Sequence, residues 1–76
     1  MKLHEAIRLG ANGVWLDAQV RRNPGNRAQW FVMLRDKQSK PFMLVGDDDR
    51  PITAESLDKV AEYIQSIGLK EFSVYL

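Results

Sequence analysis

The chain has 76 residues, a net charge of +1, 45% hydrophobic residues and no cysteine. This length predicts a single small domain, residues 1–76, with a thin core, and the lack of cysteine excludes disulfide frameworks and thiolate zinc sites. No apolar run reaches the length of about 20 residues that a membrane span needs, and the N-terminus lacks a signal-peptide pattern, so we expect a cytoplasmic protein with no membrane partner.

The first predicted element is a short helix over residues 2–10. Its apolar residues have the i, i+3, i+4, i+7 spacing of one helix face: Leu3, Ala6, Ile7 and Gly10. The segment Gly10–Gly13 then favours a helix end, because glycine and asparagine accept positive φ. A helix of two or three turns is marginal alone, so it must dock on the sheet or on another chain.

Residues 13–35 predict two strands joined by a tight turn. In the first strand, one face is apolar and the other mixed; the apolar set is Val14, Leu16, Ala18 and Val20, and the mixed set is Trp15, Asp17, Gln19 and Arg21. Pro24 and Gly25 occupy the central positions that a type II turn favours. The return strand is apolar at every position from Trp30 to Leu34, so its register stays open.

Two registers of this hairpin are compatible with the sequence. If Val20 faces Trp30, the inward set is completed by Ala18, Leu16, Val32 and Leu34, and the second face holds Trp15, Asp17, Gln19, Phe31, Met33 and Arg35. A shift by one residue would instead place Phe31 and Met33 in the core. Both registers leave large apolar side chains on the second face.

The second half predicts a third strand from Phe42 to Val45, a helix, and a last strand from Phe72 to Leu76. Thr53 is the predicted N-cap of the helix, and Gly68 its C-cap. The predicted core stripe of the helix is Leu57, Val60, Ala61, Ile64 and Ile67, with Ile52 and Leu57 as a hydrophobic staple. Since crossover connections join parallel strands, the last strand should run parallel to the first or the third.

The predicted fold class is therefore α+β, a single small domain with the order α-β-β-β-α-β. An antiparallel three-strand meander and the C-terminal strand form a mixed four-stranded sheet, with helix 2 packed on one face.

The second sheet face is the most informative candidate site. It combines Trp15, Phe31, Met33 and Tyr75 with either Met43 or Val45. Three interpretations are open: a stacking platform for single-stranded nucleic acid, an interface with a second copy or another protein, or a surface covered by helix 1. We favour the interface, because one short helix could hardly shield so much apolar surface. The predicted function is a non-enzymatic binding or regulatory module that forms a homodimer or docks a protein partner.

A basic hairpin tip supports an alternative function. Residues 1–46 hold eight Lys/Arg and three acidic residues, whereas residues 47–76 hold three and seven. Arg21, Arg22 and Arg27 could bind nucleic-acid phosphates. A meander brings this turn to the same end of the sheet as the close of the third strand, so we expect Asp47–Asp49 to neutralise it.

No catalytic, metal or cofactor motif stands out, and no small-molecule substrate is evident. His4 is the only histidine and lacks a positioned partner in the sequence pattern. Consecutive aspartates cannot all point at one cation from an extended backbone, so the run at Asp47–Asp49 is interpreted as a solvated turn. We therefore predict no enzyme activity, no metal and no cofactor.

Overall fold

The computed structural model describes residues 1–76 and contains seven regular elements. They are α1 (Leu3–Ala11), β1 (Trp15–Asn23), β2 (Asn26–Asp36), β3 (Pro41–Met43), β4 (Thr53–Ala54), α2 (Leu57–Ile67) and β5 (Ser73–Tyr75). The sheet has the order β3-β2-β1-β5; β5 runs parallel to β1, and the other pairs are antiparallel. This confirms the α+β class and the packing of the second helix on the sheet.

The sheet has five strands rather than four because the chain forms an additional short strand, β4, where the start of the second helix was predicted. Both β3 and β4 pair with the same edge of β2, β3 at Met33–Arg35 and β4 at Trp30–Phe31. Between β3 and β4 the chain leaves the sheet and then returns to it. The base of this loop is closed by a hydrogen bond from the amide of Ile52 to the carbonyl oxygen of Leu44, at 3.0 Å. The aspartate run lies in this excursion.

A β-bulge in β1 changes which residues face the core. Trp15 pairs with Asp36 and Asp17 pairs with Arg35, so Leu16 is an extra residue on β1. Beyond the bulge, Ala18 pairs with Leu34 and Val20 pairs with Val32. This register is shifted by two residues from the predicted pairing of Val20 with Trp30. A shift of two keeps the same side chains of β2 facing the core. The bulge turns Leu16 outward, where 48% of it is exposed, and buries Trp15. The prediction that Trp15 lies on the exposed face is therefore wrong.

The hairpin turn differs from the predicted type II turn. Only Gly13 and Gly68 among the glycines have positive φ, so Gly25 does not adopt the conformation that a type II turn requires. Instead, the Oδ1 atom of Asn23 accepts a hydrogen bond from the amide of Gly25 at 3.0 Å. The asparagine side chain thus organises the turn.

Helix α2 begins three residues later than predicted. The hydroxyl oxygen of Ser56 accepts from the amide of Lys59 at 3.1 Å, which makes Ser56 the N-cap, whereas Thr53 lies in β4. Leu57 is 38% exposed and is not part of the core. The predicted stripe is otherwise confirmed at its buried positions Val60, Ile64 and Ile67, and Gly68 closes the helix with φ of 98°.

Both helices pack on the same side of the sheet. The indole Nε1 of Trp15 donates to the carbonyl oxygen of Ala6 in α1 at 2.9 Å, and α1 packs closely against α2 where Gly10 meets Ile67. The buried core between the helices and the sheet is Ala6, Trp15, Ala18, Val20, Trp30, Val32, Leu34, Leu44, Ala54, Val60, Ile64 and Ile67. Neither helix has the length and apolar character needed to cross a membrane. The opposite side of the sheet is left without a helix, which contradicts the interpretation that helix 1 covers it.

Candidate functional site

The side of the sheet that faces away from both helices, here called the open face, is the candidate site. Directly paired residues share a side of the sheet, so the register assigns its members. They are Asp17, Gln19, Arg21, Phe31, Met33, Arg35, Pro41, Met43, Thr53, Ser73 and Tyr75. Their neighbours in sequence on β1 and β2, such as Val20 and Val32, are buried under the helices.

The centre of the open face is apolar. Met33 pairs with Met43 across β2 and β3, and Phe31 lies two residues before Met33 on the same side. Phe31 and Met33 are half-buried, and Met43 is 37% exposed. Methionine and phenylalanine side chains in such a patch are typical of protein interfaces, since thioethers adapt to the shape of a partner.

One end of the open face carries a neutralised pair of charges. The guanidinium of Arg35 donates two hydrogen bonds to the carboxylate of Asp17, one of them from Nε to Oδ1 at 2.8 Å. This hydrogen bond lowers the pKa of Asp17 below its ordinary value and raises the pKa of Arg35. The pair joins β1 to β2, and its two charges neutralise each other.

The other end carries three arginines that no acidic side chain neutralises. Arg21, Arg22 and Arg27 line one groove of about 310 Å³ together with Pro24, Phe31, Tyr75 and Leu76. None of the four ion pairs of the protein includes any of these arginines. The hairpin tip therefore keeps a positive field.

Two of these arginines are held in place by aromatic rings. The guanidinium of Arg21 lies 4.3 Å from the ring centroid of Tyr75, and that of Arg22 lies 4.1 Å from the ring of Trp30. Arg22 also donates from Nη1 to the carbonyl oxygen of Arg27 at 2.6 Å. The Arg27 side chain makes no hydrogen bond or ion pair, so its charge is fully available to a ligand.

The aspartates at positions 47–49 do not neutralise these arginines, contrary to the sequence-based expectation. Asp49 lies 3.9 Å from the ammonium of Lys2, and Asp47 lies 3.8 Å from Nδ1 of His4. The loop is drawn toward α1 because Val45 pairs with Lys2 at the N-terminus, with the amide of Leu3 donating to the carbonyl oxygen of Val45 at 3.2 Å. The predicted neutralisation is wrong for this reason.

No group of three histidine or acidic side chains converges on a point where a metal ion would sit. The Oδ1 atom of Asp48 accepts from the amide of Arg50 at 3.1 Å, and thus shapes the turn. His4 lies on the surface of α1, with Asp47 as its acidic neighbour.

A second groove, which the sequence-based reasoning missed, adjoins the basic one. It has a volume of about 410 Å³ and is lined by Asn23, Pro24, Phe31, Met43, Pro51 and Thr53. Its walls combine the hairpin turn with β4, two segments that are far apart in sequence. No local pattern signals it, because the groove exists only once β4 returns to the edge of β2.

The structure thus brings together Phe31, Met33 and Tyr75 from the predicted interface and Arg21, Arg22 and Arg27 from the predicted phosphate site. Trp15 lies on the other side of the sheet, and the guanidinium of Arg22 also lies toward that side, over the ring of Trp30. No protein-family model matches the chain, and no curated protein or solved structure matches it. The geometry of the open face is therefore the basis for a functional proposal.

Proposed function

We propose that this protein is a non-enzymatic binding or regulatory module that docks a protein partner on its open face. The observation that carries the proposal is the uncovered patch of Phe31, Met33 and Met43, since both helices lie on the other side of the sheet. A domain of this size buries only about 60% of the surface that its unfolded chain exposes, so covering this patch would add apolar burial that the chain cannot supply itself.

A different protein fits the open face better than a second copy does. The only acidic strand residue on this face is Asp17, and Arg35 already neutralises it. A second copy stacked face to face would therefore bring no acidic strand residue to Arg21 and Arg27. A partner with an apolar centre and acidic flanks would satisfy both parts of the surface.

Affinity capture with the tagged protein, followed by titration calorimetry with each purified partner, tests the proposal. Met33→Glu places a charge in the centre of the patch and should weaken binding about tenfold or more. Leu57→Glu is the matched control, because Leu57 has a similar exposure of 38% but lies on the helical side. A partner that binds the two variants equally well would refute docking on the open face.

Sedimentation velocity at high micromolar concentration tests self-association. A strict monomer removes the homodimer and leaves a different protein as the partner. A dimer that Met33→Glu dissociates and Leu57→Glu preserves would assign the open face to self-association instead.

A second candidate function is nucleic-acid binding at the hairpin tip. The observation in its favour is that Arg21, Arg22 and Arg27 share a groove without an acidic neighbour. Binding to mixed DNA and RNA should then weaken steeply with salt, and Arg27→Gln should reduce the slope of log K against log salt concentration by about one. No binding at low salt removes this candidate.

The proposed setting is the cytoplasm, because the chain has no cysteine and small secreted domains commonly depend on disulfides. Fractionation of cells that express the tagged full-length protein would test it. Recovery in the secreted or membrane fraction would contradict this setting.

A further inference from the structure

We infer that the occupant of the open face is an extended peptide segment that places an apolar side chain beside acidic ones, near the hairpin tip. This inference rests on the proposed function and specifies the chemistry of the partner. It comes from two adjoining grooves of opposite character, which share Pro24 and Phe31 as their common wall.

The first groove would receive the apolar side chain. Phe31, Met43 and Pro51 line it, and none of its residues carries a charge. Its volume of about 410 Å³ is within the range of sites that hold small ligands or single large side chains. Thr53 and Asn23 supply the polar atoms at its rim.

The second groove would receive carboxylates. Arg21 is ordered by the ring of Tyr75, so a ligand on the open face meets a guanidinium group that has already lost much of its freedom. Arg22 also lines the groove, but its guanidinium lies over the buried ring of Trp30, toward the helical side. Arg27 has no side-chain partner of its own and is the strongest candidate for a bidentate contact with a carboxylate.

An extended peptide can occupy both grooves at once. Side chains at positions i and i+2 of a strand point to the same side, about 7 Å apart. Two grooves that share only Pro24 and Phe31 as their common wall are suited to side chains of this spacing. The sequence pattern expected of the partner is thus an apolar residue with Asp or Glu two positions away.

A peptide fits these grooves better than a nucleic-acid strand does. Base stacking needs aromatic rings with exposed faces. Arg21 lies over Tyr75, and Trp30 is buried with Arg22 over its ring, so Phe31 is the only aromatic ring in the grooves without a guanidinium over it. The apolar groove also has no cation that could hold a phosphate.

Selection of a displayed library of random dodecapeptides on the immobilised full chain tests the inference. Enriched peptides should carry the apolar and acidic pattern, and a synthetic fluorescein-labelled representative should bind in an anisotropy titration. Arg27→Glu should weaken this binding about tenfold or more. Lys37→Glu is the control of equal charge change, because Lys37 lies at the opposite end of the sheet in the turn between β2 and β3.

A second pair of variants tests the apolar groove. Met43→Gln should weaken binding of the same peptide several-fold, whereas Leu57→Gln should leave that binding unchanged, because Leu57 has a similar exposure of 38% but lies on the helical side and lines neither groove. Circular dichroism must show each variant to be folded.

Four results would overturn the inference: no enrichment, enriched peptides without acidic residues, equal binding to Arg27→Glu and Lys37→Glu, or equal binding to Met43→Gln and Leu57→Gln. A single-stranded oligonucleotide that displaces the peptide at lower concentration than unlabelled peptide would assign the arginines to nucleic acid. If Met33→Glu abolishes partner binding while Arg27→Glu does not, docking on the open face stands and only this inference fails.

Discussion

The indole Nε1 of Trp15 donates a 2.9 Å hydrogen bond to the carbonyl oxygen of Ala6, which ties the first strand to the first helix. The ring of Phe42 packs against the same indole in a T-shaped arrangement, with ring centroids 5.7 Å apart. Trp15 is therefore a core residue that joins three elements. Its burial depends on the bulge at Leu16, and this dependence can be tested.

Trp15→Ala should lower the free energy of unfolding by about 3 to 5 kcal/mol, because it removes a buried aromatic side chain. Trp15→Phe keeps much of the packing and should cost about 1 kcal/mol for the lost hydrogen bond. Leu16→Ala is the control and should change the free energy by no more than about 0.5 kcal/mol, since Leu16 is half exposed. Urea unfolding followed by circular dichroism measures all three. Equal losses at Trp15 and Leu16 would contradict the bulge.

Gly10→Ala should destabilise the protein even though alanine is the better helix former. A Cβ atom at Gly10 would lie 1.8 Å from the carbonyl oxygen of Ile67, so α1 and α2 would have to separate. Such overpacking costs about 1 to 3 kcal/mol after repacking. Gly25→Ala is the matched control, because the nearest heavy atom to its added Cβ would be 3.6 Å away. A higher melting temperature for Gly10→Ala would show that the helices do not meet at this point.

The Asp17 and Arg35 pair should make stability depend on pH in acid. The hydrogen bond from Arg35 lowers the pKa of Asp17 in the folded state, so the folded state binds the proton less readily than the unfolded state. The stabilisation is therefore complete above the ordinary pKa of aspartate, and it is lost as the pH falls below that value toward the folded-state pKa. Asp17→Asn should lose less stability than the wild type in thermal melts between about pH 5 and pH 2. Parallel profiles for the two proteins would refute the coupling.

Arg22→Ala should expose Trp30 to solvent. The guanidinium lies over the ring, and only 6% of Trp30 is exposed. In the Trp15→Phe background, which leaves Trp30 as the only tryptophan, Arg22→Ala should shift the emission to longer wavelength and increase acrylamide quenching. The cost in stability should be about 0.5 to 1 kcal/mol. Arg27→Ala, which removes no side-chain contact, should leave both signals unchanged.

The candidate site was partly predictable from the sequence. Phe31, Met33 and Tyr75 are on the open face as predicted, because strict alternation along a strand assigns faces once the register is known. Trp15 was misplaced because one extra residue, Leu16, reverses the alternation at the start of β1. No feature of the alternating segment signals that bulge, which places the indole of Trp15 against α1.

The sequence could not show that the arginines of the hairpin tip would lack acidic neighbours. The sequence places Asp47–Asp49 after the third strand, and a simple meander would bring them to the arginines. The observed loop instead turns toward Lys2 and His4, because Val45, just before the loop, pairs with the backbone of Lys2 near the N-terminus. This contact joins residues more than 40 positions apart, beyond the reach of any local pattern.

By itself, the amino-acid sequence determined the α+β class, the long hairpin, the crossover to a parallel last strand and the basic tip. These features depend on periodicity and turn residues within short segments. Only the tertiary structure decided that both helices lie on one side, that Trp15 is buried and that Arg21, Arg22 and Arg27 have no acidic neighbour. These outcomes depend on long-range packing and on a one-residue bulge, which have no short-range signature.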